Sequence, residues 1–164
     1  MSPRARSAAI IAAVVILDRA TKLYIQQTFS PLDVAPVIPG FFNIVHVENP
    51  GAAWGMLADS PSEWRGLALV WVSMAVTAVV GILLWKPKPP GARAQPLVEA
   101  GLALVFGGAL GNLWDRLFRG TVTDFLQLFF GSYEFPSFNV ADSAVCVGAG
   151  LMLLDMLRQR RRPA

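Results

Sequence analysis

The sequence predicts an all-α integral membrane protein with four transmembrane helices, and two observations carry that prediction. Of its 164 residues 54% are hydrophobic and 15% charged, with a mean hydropathy of +0.50. That is too apolar for a soluble domain, which needs a charged surface around its core. Four apolar stretches, near 7–27, 65–85, 96–118 and 138–157, match the roughly 20 residues a helix needs to cross a hydrocarbon core. No internal repeat or compositional break divides the chain, so 1–164 reads as one membrane-embedded domain.

Charge gives these spans a direction. Arg4 and Arg6 precede span one, Lys86, Lys88 and Arg93 lie between spans two and three, and Arg158, Arg160, Arg161 and Arg162 follow span four. Short loops rich in Lys and Arg stay in the cytoplasm. Both termini are therefore expected there, and the longer connections, about 28–64 and 119–137, on the outer side. The net charge of +3 is thus explained by topology and anionic lipid, with no nucleic-acid partner.

The elements follow in order. Arg4 and Arg6 before "SAAIIAAVVIL" imitate a signal peptide, but "DRATK" follows directly with no small-x-small cleavage site, so span one is read as an uncleaved helix. Asp18, Arg19 and Lys22 interrupt it; a carboxylate at that depth pairs within a bundle, and a structural role is expected for Asp18 and Lys22. In the first outer connection "IPG" reads as a turn and "FFNIVHVEN" alternates like a strand. "AAWGMLAD" has helical spacing but is too short to span, so a surface helix is expected there. The outer face should thus carry a small sheet and a short surface helix.

"KPKPPGARAQP" ends span two and admits span three. Gly107, Gly108 and Gly111 in span three allow close helix approach, and Asn112, Asp115 and Arg116 form a polar face near its outer end. Span four holds the single cysteine, Cys146, expected to be a buried packing residue. Trp54, Trp64, Trp71, Trp85 and Trp114 are expected mostly as interfacial anchors.

Asp142 sits about one turn inside span four, and Asp124 follows span three by a few residues, also on the outer side. The connection between them is long enough to fold back and join them. Two carboxylates in contact at a low-dielectric boundary share one proton. An aspartic protease uses that arrangement: the ionised partner takes a proton from water while the protonated one donates to the scissile carbonyl. Neither a metal nor a cofactor is required. A single His46 and a single Cys146 cannot build a metal cluster. A triad of His46 with Ser137 or Ser143 is permitted by the sequence, though nothing in it encourages one. Asn139 opens span four as a good N-cap residue.

"DRATK", "NPGAAWGM", "GGALGNLWDRLFRGTVTDF" and "FNVADSAV" together resemble the lipoprotein signal peptidases, the bacterial type II signal peptidases, in order and in topology. The resemblance implies a periplasmic β-sheet cradle and a surface helix over four transmembrane helices of the inner membrane, with the active site near the periplasmic face. It implies cleavage of a diacylglyceryl-modified prolipoprotein N-terminal to its lipidated cysteine. It puts Asp124 and Asp142 on the catalytic pair, and Asn49, Gly51, Asn112, Arg116 and Asn139 on substrate-lining positions. Asp18 and Asp115 fall on polar supports of the fold. Membrane lipid and globomycin-type inhibitors are the other partners it implies, and the chain is taken as a monomer. Trp54 stands where many members have phenylalanine, which bears on how the surface helix covers the site.

Two rival readings remain. A small transporter would need acidic residues at several depths, and only Asp18 departs from the outer cluster. A presenilin-type intramembrane protease would carry Tyr-Asp and Gly-x-Gly-Asp motifs, and neither occurs.

Overall fold

A computed structural model describes residues 1–51, 64–87, 89 and 95–160. The expected surface helix, with Trp54, lies outside the described residues. Helix α1 (Pro3–Thr28) begins at Ser2, whose hydroxyl oxygen accepts the Ala5 N–H at 3.2 Å, with Pro3 in its first turn. After it come β1 (Val34–Ile38), β2 (Phe42–Asn49), α2 (Trp64–Trp85), α3 (Pro96–Arg119), β3 (Val122–Phe130), β4 (Tyr133–Phe138) and α4 (Val140–Arg160).

The four helices fall within a few residues of the expected spans. Three of them, over Gly66–Trp85, Pro96–Arg119 and Val140–Gln159, are long and apolar enough to cross a membrane. Helix α1 has the length, but Asp18, Arg19 and Lys22 break its apolar run. The description as all-α needs correcting, because the strands form one antiparallel sheet in the order β1-β2-β3-β4. The alternation in "FFNIVHVEN" revealed β2. Its neighbour β3 follows α3 after a single turn at Gly120, whose φ of 76° ends the helix in the left-handed conformation that glycine adopts at no steric cost.

Helix α3 is the centre of the bundle, and glycines set its distance from its neighbours. A Cβ built on Gly108 would lie 2.3 Å from the Ala141 carbonyl oxygen of α4, and one on Gly101 would lie 2.6 Å from that of Gly148. Gly107 meets Val14 of α1 at 3.0 Å in the same sense, and Gly111 meets the Asp18 carboxylate. Helices that cannot draw on water to drive their association gain from this close backbone contact. The consequence is positional: the C-terminal ends of α1 and α3 and the N-terminal end of α4 converge under the sheet.

One side-chain expectation fails. Cys146 is exposed on α4, because the face of that helix occupied by Ala141, Ala144 and Gly148 is the one that packs inward. Trp71, Trp85 and Trp114 are likewise outward-facing, at 66%, 43% and 50% exposure, as residues in contact with lipid would be.

Candidate active site

The site begins with the way α4 starts. Asn139 Oδ1 accepts the Asp142 N–H at 2.9 Å while Asp142 Oδ2 accepts the Asn139 N–H at 3.2 Å. This is the reciprocal capping box in Asn/Asp form. The capping role expected of Asn139 therefore holds, and it fixes the Asp142 carboxylate in the first turn. A second orphan donor of that turn, the Ala141 N–H, is satisfied from another helix by Asp18 Oδ1 at 3.0 Å.

Asp124 arrives from β3, where its Cα pairs with Val47. Its side chain points to the same sheet face as that of Asn49. Asn49 Nδ2 donates to Asp124 Oδ2 at 3.0 Å, and Asn49 Oδ1 accepts the Gly51 N–H at 2.9 Å. Asn139 Nδ2 donates to Asp124 Oδ1 at 2.8 Å. A single fully buried asparagine thus touches both carboxylates, by its amide nitrogen on Asp124 and by its backbone N–H on Asp142, while its amide oxygen accepts the Asp142 backbone N–H.

Asn112 closes the other side. Its Nδ2 donates to Asp142 Oδ1 at 2.8 Å, and its Oδ1 accepts from Lys22 Nζ at 2.9 Å and from Asn139 Nδ2 at 3.3 Å. Arg116 donates to the Asn112 carbonyl at 3.4 Å and adds a positive charge that acts on Asp142, Asp124 and Asp115.

Below this lies a buried ionic layer. Lys22, fully enclosed, bridges Asp18 Oδ2 and Asp115 Oδ2, each at 2.8 Å, and Arg19 also pairs with Asp115. The Lys22 charge is thus balanced by two carboxylates within ion-pair distance, as a buried ion requires. Asp18, Lys22 and Asp115, expected as polar supports, thus lie in one buried ion-pair cluster. Lys22 has one further contact that spacing did not reveal: through Asn112 it is one hydrogen-bonded residue away from Asp142.

The electrostatics separate Asp124 from ordinary surface carboxylates. Asp124 is 4% exposed, and burial pushes its carboxyl up to about 7. The amide donated by Asn49 opposes the rise, the negative charge of Asp142 adds to it, and the Asn139 amide and the Lys22 charge oppose it. At neutral pH the pair can hold one proton, so one member can donate a hydrogen bond and the other can accept a proton.

His46 is not part of this centre. It is 5% exposed and lies on the other face of the sheet, with Nδ1 2.8 Å from the Phe29 carbonyl oxygen and Nε2 3.0 Å from Glu48 Oε1. Ser143 donates its hydroxyl to the Asn139 carbonyl at 2.9 Å. The triad alternative is therefore not assembled. Sequence reasoning singled out neither Glu48 nor Thr123 nor Gln26, which join His46 in a polar junction; the period-2 spacing of His46 and Glu48 was the available signal.

Comparison with known proteins is consistent with this geometry. A family model described as signal peptidase (SPase) II matches residues 10–158. The chain is 46% identical to a lipoprotein signal peptidase of Solibacter usitatus over 158 residues, which is 94% of this chain and 92% of that one. It is 42% identical to a lipoprotein signal peptidase of Geobacter sulfurreducens, covering 95% and 94% respectively. Among solved structures, one described as a bacterial membrane enzyme superposes with a TM-score of 0.81 at 31% identity over 96% of this chain and 90% of the other.

Proposed function

The chain belongs to the signal peptidase II family, and from that premise we propose that it is an aspartic endopeptidase acting on diacylglyceryl-modified prolipoproteins. Membership makes it a peptidase of the bacterial membrane that removes signal peptides from lipoproteins. The reading adds that Asp124 and Asp142 perform the cleavage, on the N-terminal side of the lipidated cysteine.

The observation that carries the mechanism is the bridging of both carboxylates by Asn139. The ionised aspartate takes a proton from a water molecule as its oxygen attacks the scissile carbonyl carbon. The protonated aspartate gives its proton to the carbonyl oxygen, yielding a neutral tetrahedral diol. When the C–N bond breaks, a proton passes to the leaving amine and the second diol proton returns to the pair. Arg116, Asn112 and Asn49 lie where they can hold the peptide backbone or the developing charge. The substrate enters sideways from the bilayer, with its acyl chains against lipid and its cleavage point under the sheet. Membrane lipid is the surrounding partner, a globomycin-type cyclic peptide is the expected inhibitor of the pair, and the working unit is a monomer.

The test is cleavage of purified diacylglyceryl-prolipoprotein by wild type, Asp124→Asn and Asp142→Asn in detergent, with folding followed by thermal unfolding. Loss of kcat by a factor on the order of 10³ or more in both folded variants is expected. Near-normal cleavage by either one would remove that aspartate from the mechanism.

A further inference from the structure

The sheet has two polar faces at its inner end. Asn49 and Asp124 point to the site; His46, Glu48, Thr121 and Thr123, alternating with them, point the other way. On that second face Glu48 Oε1 accepts from Thr123 Oγ1 at 3.0 Å and from Arg119 Nη2 at 3.2 Å, and Oε2 accepts from Thr121 Oγ1 at 2.5 Å. The Thr123 hydroxyl in turn accepts from Gln26 Nε2 at 2.6 Å. A ring closes: Gln26 and the Phe29 carbonyl at the end of α1, His46 and Glu48 on β2, Thr123 on β3, and back to Gln26.

Proton bookkeeping around this ring leaves one solution. The Phe29 carbonyl can only accept, so His46 Nδ1 must donate to it. Glu48 takes donors from Arg119 and two threonines, and the net effect of those bonds and the His46 bond, against its burial, holds its carboxyl below the usual range. It too can only accept, so His46 Nε2 must also donate. An imidazole that donates from both nitrogens is the imidazolium.

Resting on the peptidase reading above, we propose that His46 is a positively charged positioning residue, whose two N–H groups fasten β2 and β3 to α1 and thereby hold Asn49 and Asp124 in register with Asp142. Glu48 and Thr123 are each one residue from a member of the site, and the Thr123 carbonyl also accepts from Asn139 at 3.4 Å. Loss of the ring proton breaks one arm of the clamp, since a neutral imidazole can donate only once. The groups that face His46 are Glu48 on its own strand, Arg119 of α3 through Glu48, Thr121 and Thr123 of β3, and Gln26 and the Phe29 carbonyl of α1. Asp33, before β1, offers its backbone carbonyl to the His46 N–H at 3.2 Å.

His46 is the single histidine of the chain, so the full-length protein labelled with ¹⁵N-histidine gives one imidazole signal in detergent micelles. At the pH of the cleavage assay both ring nitrogens are expected to be protonated; one bare nitrogen overturns the proposal. Glu48→Gln removes the negative charge that the imidazolium faces and should lower kcat with KM little changed. An unchanged kcat in folded Glu48→Gln rejects the link to catalysis. His46→Gln keeps one donor and should lower kcat about 10- to 100-fold with KM little changed. A variant that only melts earlier, with kcat intact in the folded fraction, would make His46 merely structural and overturn the proposal. If wild type cleaves no prolipoprotein, the peptidase reading fails, while the imidazole signal still decides the protonation state of the clamp.

Discussion

Burial is the strongest influence on Asp124 and lifts its carboxyl from 3.8 to about 7, which has consequences for both activity and stability. A carboxyl whose pKa is higher in the folded than in the unfolded chain binds more protons when folded. Stability therefore falls as pH rises from about 4 to about 7, and the loss is complete above that window. Its ceiling is on the order of 4 kcal/mol. Asp124→Asn cannot ionise, so its thermal midpoint relative to wild type should rise between about pH 4 and about pH 7 and level off above; a constant difference would mean that Asp124 does not titrate there. In the wild type, kcat/KM should fall as pH passes about 7, because the pair then loses the proton that activates the carbonyl. Charge balance points the same way: Arg19, Lys22 and Arg116 face Asp18, Asp115, Asp124 and Asp142, and one proton on the pair makes the set neutral. The sequence suggested that Asp124 and Asp142 meet because both flank a connection long enough to fold back. It did not place Lys22 beside Asn112, since that contact depends on how α1 and α3 are rotated about their axes, which a lone polar residue in an apolar run does not reveal.

Helix α3 owes its central place to glycines, and two of them make opposite predictions. At Gly108 a methyl group would meet the backbone carbonyl of Ala141 at 2.3 Å, and backbone cannot swing aside as a side chain can. Gly108→Ala should therefore destabilise by about 1–3 kcal/mol and, by pushing the start of α4 away, reduce cleavage more than its stability loss explains. Gly150 lies on the same pair of helices but has nothing within 4 Å, so Gly150→Ala should leave the thermal midpoint unchanged or raise it, as helix propensity favours alanine. Equal effects at the two positions, read by thermal unfolding in detergent, would reject the tight α3–α4 seam. The small residues were visible in the sequence as a packing signal. Helix limits were also legible, because apolar runs and flanking prolines and charges define them. The strands were less so. β2 alternates, but β3, "VTDFLQLFF", ends in a nearly continuous apolar run that could equally continue a helix, and β4, "YEFPSF", contains a proline that argues against a strand. Pairing with β2 decides the matter, and pairing is not a local property.

At the scale of the whole molecule, the outward faces of α2 and α4 are apolar, with Leu67, Trp71, Ile82, Val147, Leu153 and Met156 each more than half exposed. In water such a surface would aggregate; in a bilayer it is solvated by acyl chains, and the polar sheet end and the basic connector must then lie at opposite interfaces. Cysteine labelling tests that orientation, because Cys146 is the only native thiol and can be removed as Cys146→Ser. In that background Lys86→Cys, after α2, and Ser132→Cys, in the turn between β3 and β4, are both exposed. A membrane-impermeant maleimide added to intact spheroplasts should modify the cysteine at position 132 and spare the one at 86, and inside-out vesicles should reverse the pattern. The native Cys146, on the lipid-facing side of α4, should resist the same reagent from both sides yet react with an apolar maleimide that partitions into the bilayer. Labelling of positions 86 and 132 from one side would place the sheet and the basic connector at the same interface. That would separate the Asp124–Asp142 pair from the side to which secreted prolipoproteins are delivered, and the proposed mechanism would lose its route to substrate.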